Sequence, residues 1–137
     1  MAERLYWEEL NPGDEAVSLN RTITEADVVN FCGVSGDFNW FHIDEVRAKE
    51  SVFGKRVAHG MLVASIATGL AVQQGFIDGT TLAFRELTWR FTRPVFIGDT
   101  VHVQIKVTET KPMARLGGGL VTFAAQVINQ QGDVVHK

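Results

Sequence analysis

The stretch from Gly60 to Val72, GMLVASIATGLAV, constrains the fold more than any other part of this chain. It is apolar or small nearly all round, the pattern of a helix buried on most sides rather than along one stripe. It falls short of the roughly 20 residues that cross a bilayer. Ala64, Ser65, Ala67, Thr68, Gly69 and Ala71 leave little side chain in the way of a neighbour, so a sheet can approach closely. Strands to surround it follow in sequence. VHVQIKV alternates with Val101, Val103, Ile105 and Val107 on one face, and LVTFAAQVI does so with Val121, Phe123, Ala125 and Val127. TLAFRELTWRF alternates as well, through Leu82, Phe84, Leu87, Trp89 and Phe91, with a change of parity at Arg85-Glu86 that signals a bulge or bend. EAVSLNRTI, nearer the start, has weaker strand character. The expected fold is α+β, an antiparallel sheet of about five strands curled round one long helix.

Helical material lies between the first strand and that helix. Thr24 is a candidate N-cap with Asp27 in the capping-box position, and the helix it opens is expected to end near Cys32, stopped by Gly33. Gly36, Asp37 and Asn39 make a turn-rich loop. IDEVRAKESVFG reads as a short helix from an Asp44 N-cap to a Gly54 stop. Pro12, Pro94 and Pro112 fall between segments. Residues 1–137 show no repeat or linker and are expected to form a single domain. The net charge of −3 and the absence of a Lys/Arg run argue against nucleic acid as a partner. The charged start, MAERLYWEEL, does not read as a signal peptide, and the lone Cys32 cannot form an internal disulfide. A cytoplasmic protein with no membrane partner is the expectation. Sheet edges of this kind invite pairing between copies, so a homodimer is expected, or an oligomer built of dimers.

One stretch does not fit a purely structural reading. GVSGDFNWFH places Asp37 and His42 five residues apart among Phe38, Trp40 and Phe41. Extended, that separation spans roughly 17 Å. On a continuous helix the two side chains would point about 140° apart. Only a folded-back loop brings both to one water molecule, and Gly36 and Asn39 are turn formers placed to build it. The aromatics would then exclude bulk water and raise the carboxylate's pKa.

GDFNWFHIDEVRAKES followed by VAHGMLVAS resembles the signature of MaoC-like dehydratases, the (R)-specific enoyl-CoA hydratase group of the hot-dog fold. Gly36, Asp37, Asn39, His42, His59, Gly60 and Met61 match it, and the likeness extends through most of the chain. The resemblance implies reversible addition of water to a trans-2-enoyl thioester, giving the (R)-3-hydroxyacyl product. Asp37 and His42 would activate the water, and the backbone N–H of Gly60, at the start of the buried helix, would receive the oxyanion. Ser35, Gly36, Asn39 and His59 would shape the loop and the turn. Phe38, Trp40, Phe41, Met61 and Ser65 are the candidate substrate contacts. No metal or redox cofactor is implied, since coenzyme A or acyl carrier protein is part of the substrate. Trp40 stands where the family has proline, so the rigidity of the loop must come from packing.

Blander readings apply elsewhere. A metal site from His42, Asp44 and His59 lacks helix-face spacing, and none is expected. His102 reads as a solvent-facing strand residue, His136 as a terminal one and Cys32 as a small buried hydrophobe. Lys55, Arg56, Arg85 and Arg93 read as scattered surface charge. Two other functions compete with hydration: a hot-dog acyl-CoA thioesterase, and a non-catalytic acyl-binding partner subunit. Thioesterases of this fold place an acid on the buried helix, and Met61–Gln73 contains none.

Overall fold

The computed structural model describes residues 3–137. The chain makes β1 (Glu15–Val17), β2 (Arg21–Thr22), α1 (Glu25–Ser35), α2 (Trp40–Ile43), α3 (Glu45–Lys49), α4 (Gly60–Val72), β3 (Thr100–Met113), β4 (Gly118–Ile128) and β5 (Val134–His136). The five strands form an antiparallel sheet in the order β1-β3-β4-β5, with β2 paired to the start of β3. This is the α+β sheet-and-helix arrangement expected from the sequence.

Alternation in β3 decides which face is covered. Val101, Val103, Ile105 and Val107 are buried, and they share one apolar cluster with Val63, Ala67 and Leu70 of α4. Val127 and Val135 extend that cluster along the sheet. Burying such side chains contributes about 1.5–3 kcal/mol each, which fixes the register of the sheet against the helix. β3 runs through Pro112, which the sequence reading placed between segments. The proline pairs with Gly119 beyond the reach of β1, so its missing N–H costs the sheet no ladder bond on the open side. The register shift falls between Val107 and Glu109.

Four further expectations are corrected. The capping box at Thr24 and Asp27 forms, with reciprocal bonds of 2.9 and 3.2 Å, but α1 passes through Gly33 and ends at Gly36, which holds φ at +76°. Only the second glycine needs the left-handed backbone that terminates a helix. The helix expected from Asp44 to Gly54 keeps its cap, Asp44 accepting the Arg47 N–H at 2.9 Å, but stops at Lys49, short of Gly54, and the short α2 precedes it. The segment 81–90 carries no regular strand pairing, and it joins the sheet only where Phe91 bridges His136. Leu82, Phe84 and Leu87 are exposed on it. α4 has the expected limits but is buried along one side only, through Leu62, Val63, Ala64, Ala67 and Leu70, while Met61, Ser65, Thr68 and Val72 lie exposed.

His136, expected at a free terminus, is 2% exposed. Phe91 and Trp89 enclose it edge-on, and the Trp89 indole N–H donates to its Nδ1 at 3.2 Å. Burial pushes its pKa down to about 4. The unfolded chain, with histidine near 6.5, therefore binds the extra proton more readily. Stability present at neutral pH falls as pH drops from about 6.5 to 4, by about 3 kcal/mol in total from this group. His136→Gln keeps an acceptor for Trp89, and thermal melts across that window should show a flatter pH dependence than the parent.

Candidate active site

The site grows from the end of α1. Ser35 closes the last turn with its hydroxyl, donating to the Phe31 carbonyl at 2.6 Å and accepting the Asp37 N–H at 3.1 Å. Gly36 then reverses the chain, and the Asp37 carboxylate accepts the Asn39 N–H at 3.2 Å. The Asn39 carbonyl accepts the His42 N–H at 2.9 Å, opening α2. Asn39 thus shapes the loop through its main chain; its side chain makes no cap.

The folded-back loop brings the acid and the imidazole together. Asp37 Oδ2 stands 3.8 Å from His42 Nε2. That gap is too long for a direct hydrogen bond, but one water can bond to both atoms. The tautomer of His42 follows from its other nitrogen, 2.7 Å from the Val57 carbonyl. A carbonyl only accepts, so Nδ1 carries the proton and Nε2 presents a lone pair toward Asp37. His42 is buried, and burial lowers its pKa; the neighbouring His59 lowers it further, against the opposing pull of the Val57 carbonyl and Asp37. The imidazole is therefore neutral over a wider range than a free one.

The aromatics do not shield the carboxylate as expected. The Asp37 side chain is 51% exposed, and Phe38 is exposed as well. Phe41 instead packs edge-on against His42 at 4.5 Å and against Phe53 at 6.4 Å. Trp40 leans on Phe41 at 5.3 Å, with the Arg47 guanidinium 4.4 Å over its ring. Packing thus replaces the missing proline. The position would still accept one. Trp40 is the first residue of α2, and Asn39 before it sits at φ −58°, ψ 139°, the conformation proline imposes on its predecessor. Trp40→Pro is expected to change stability by less than about 1 kcal/mol in a denaturant titration.

α4 supplies the other wall. His59 precedes it without a side-chain cap, so the N–H groups of its first turn are open to an anion, and the helix dipole favours one there. A Cβ on Gly60 would fall 2.7 Å from the Phe91 ring, so an aromatic contact already requires glycine at this point. Met61 and Ser65 are exposed, and the Ser65 hydroxyl is spent on the Met61 carbonyl at 2.7 Å. His59 lies against the loop. Its Nε2 is 2.9 Å from the Asp37 carbonyl and 3.5 Å from the buried Cys32 Sγ, and its ring stacks on His42 at 3.6 Å. The spacing of Asp37 and His42 does not announce this contact; the sequence signal for it is the resemblance, which places His59 among the residues that shape the loop and the turn.

Asp37, His42 and His59 offer ligand atoms within 4.8 Å of one another. The donors suit hydrogen bonding better than a metal ion. His42 Nδ1 and His59 Nε2 both face carbonyl oxygens and carry protons. The two rings lie only 24° from parallel, so their remaining in-plane lone pairs do not converge on one point.

A sheet packed on one helix, with the acid–imidazole pair at the helix tip, defines a hot-dog domain of the hydratase type. The solved structure of an unliganded R-hydratase from Pseudomonas aeruginosa superposes with a TM-score of 0.83 at 34% identity, covering 97% of this chain and 81% of that one. The family model described as the MaoC like domain matches residues 10–129. The chain belongs to that family. It is 38% identical over 107 residues to an (R)-specific enoyl-CoA hydratase of Rhodospirillum rubrum, covering 78% of this chain and 72% of the relative. It is 43% identical over 102 residues to Protein MaoC of Klebsiella aerogenes, covering 74% of this chain but 30% of that longer protein. At family level these likenesses place the chain among hydro-lyases, enzymes that add or remove water.

Proposed function

We propose that the protein hydrates trans-2-enoyl thioesters, with enoyl-CoA as the substrate form, to (R)-3-hydroxyacyl thioesters, and runs the reverse dehydration. The observation that carries this reading is the 3.8 Å separation of Asp37 Oδ2 and His42 Nε2 beside the uncapped start of α4. One water bonded to both atoms attacks C3 of the enoyl group. His42 Nε2 takes its proton while Asp37 holds the second hydrogen. The electron pair of the double bond moves to the thioester oxygen, which the Gly60 N–H receives. The proton then returns from the imidazolium to C2, so that one water is added in all. The depressed pKa of His42 suits both halves, keeping the base neutral beforehand and making its conjugate acid a ready donor. No metal or redox group enters, because the thioester already makes C2 acidic.

The reading includes a homodimer. The exposed side of α4 and the unpaired segment carrying Leu82, Phe84 and Leu87 are apolar surfaces that a second copy would cover. It also places the enzyme in the cytoplasm; no described helix is long and apolar enough to cross a membrane.

Incubation with crotonyl-CoA tests the reaction. Loss of enoyl absorbance without free thiol supports hydration. Thiol release points to a thioesterase, and neither change points to an acyl-binding partner subunit. Either of the last two results rejects the proposal.

A further inference from the structure

His59 is buried even more deeply than His42, and its Nδ1 has no hydrogen-bond partner among the described residues. A buried nitrogen left unpaired carries a penalty, and a chain that keeps one is using the rest of the side chain for something. Besides the Cys32 thiol at 3.5 Å and the Phe31 ring, the rest of this side chain makes two contacts with the site. Its Nε2–H donates to the Asp37 carbonyl at 2.9 Å, and its ring lies 3.6 Å from His42, nearly parallel to it. The other hydrogen bonds of residues 36–39 are local: Gly36 to Cys32, Phe38 to Gly36, Asp37 to Ser35, and Asn39 to Asp37 and His42. The His59 bond alone, among the described residues, ties this exposed loop to a distant part of the chain. His59 is also covalently next to Gly60.

We propose that His59 is a positioning residue that holds the Asp37 loop and the His42 ring in register with the tip of α4. The proposal rests on the hydration reading above and adds to it a device for setting the geometry. His59 touches neither water nor thioester. It acts on the carboxylate through the main chain of Asp37, and on the base through the face of the imidazole. One flat side chain with a donor at its far end does both tasks, which neither an aliphatic residue nor a phenyl ring can do. Phe31 supports the ring edge-on from α1 at 4.9 Å, so its position is set by packing rather than by the loop it holds. The titratable groups facing the stacked pair are Asp37 on the loop and Cys32 on α1.

Two variants separate positioning from space filling. His59→Phe keeps the ring and the stack but loses the donor. His59→Gln puts an amide N–H near the place of Nε2 and removes the orphan Nδ1. With crotonyl-CoA, the Phe variant is expected to lose about 100-fold in kcat with KM within about 3-fold, the cost of a misplaced reacting pair. The Gln variant restores the tether but not the stack, so it should turn over about 10-fold faster than the Phe variant while staying slower than the parent. Melting curves confirm that both are folded. A Phe variant turning over as fast as the parent, or Gln and Phe variants equally slow, would overturn the proposal. A second measurement does not depend on turnover. His59 helps to hold the His42 pKa down, so NMR titration of His42 in the ligand-free protein should give a higher midpoint in both variants. If the parent fails to hydrate crotonyl-CoA, the hydration reading falls by itself. The titration still decides the contact, since an unmoved midpoint in both variants removes the stack on which the proposal stands.

Discussion

Asp37→Asn should slow the hydration of crotonyl-CoA by about 1,000-fold and leave the folded state nearly as stable as before. The two halves of that expectation have separate causes. The side chain is half exposed, and the one protein hydrogen bond its carboxylate accepts, from the Asn39 N–H, can be accepted equally by an amide oxygen. What is lost is Oδ2, which faces His42 Nε2 across 3.8 Å; an amide nitrogen there offers hydrogens where the water needs an acceptor. His42→Asn is the matching change on the other side. Its amide nitrogen falls near the place of Nδ1 and can still donate to the Val57 carbonyl, but nothing remains at Nε2. It should lose a similar factor in rate at a stability cost of about 1–2 kcal/mol, since the ring packing against Phe41 and His59 also goes. The double variant carries the sharper test. Two groups holding one water act as a unit, so removing both should cost little more than removing the worse one. Fully multiplicative losses would mean that the two side chains do not share a water, and the proposed mechanism would fail.

The juxtaposition behind that prediction was legible because it depends on short-range chemistry. Five residues cannot bring an acid and an imidazole together along a strand or a helix, so Gly36 and Asn39 had to bend the chain. The limits of α4 and the capping box at Thr24 were legible for the same reason. Glycine alone was ambiguous. Gly33 and Gly36 look alike in sequence, and only the backbone shows which one takes a positive φ. The alternation of residues 82–91 marked a strand, but pairing needs a neighbouring edge, and the single chain supplies one only at Phe91. Leu82 and Phe84 stay exposed on this segment, as the homodimer proposed above requires of a face left for a second copy. The burial of His136 depends on Trp89 and Phe91, more than forty residues away, and its own neighbours in sequence give no sign of it. The His59 contacts are hidden for a like reason. They join α1, the loop and α4, and no local pattern reports a stack between residues 42 and 59.

Gly60 poses a question that the next experiment can resolve, because two demands for glycine meet at one residue. A methyl group there would stand 2.7 Å from the Phe91 ring, closer than packed atoms tolerate. In the proposed mechanism it would also stand beside the N–H that the thioester oxygen must approach. Gly60→Ala should therefore destabilise the fold by about 1–3 kcal/mol, the usual cost of overpacking, and lower kcat by about 100-fold, because the methyl keeps the thioester oxygen from reaching the donor. Phe91→Ala removes the first demand and leaves the second. Phe91 is itself half exposed, so its truncation is tolerable, although it uncovers part of His136. In the pair Gly60→Ala with Phe91→Ala, stability should return to that of Phe91→Ala alone, because the methyl now has room. Turnover should not return. If the double variant instead matches Phe91→Ala in rate as well, glycine at this position serves the aromatic contact only. The oxyanion would then have to be received elsewhere along the first turn of α4, where the Met61 and Leu62 N–H groups also lack a side-chain cap.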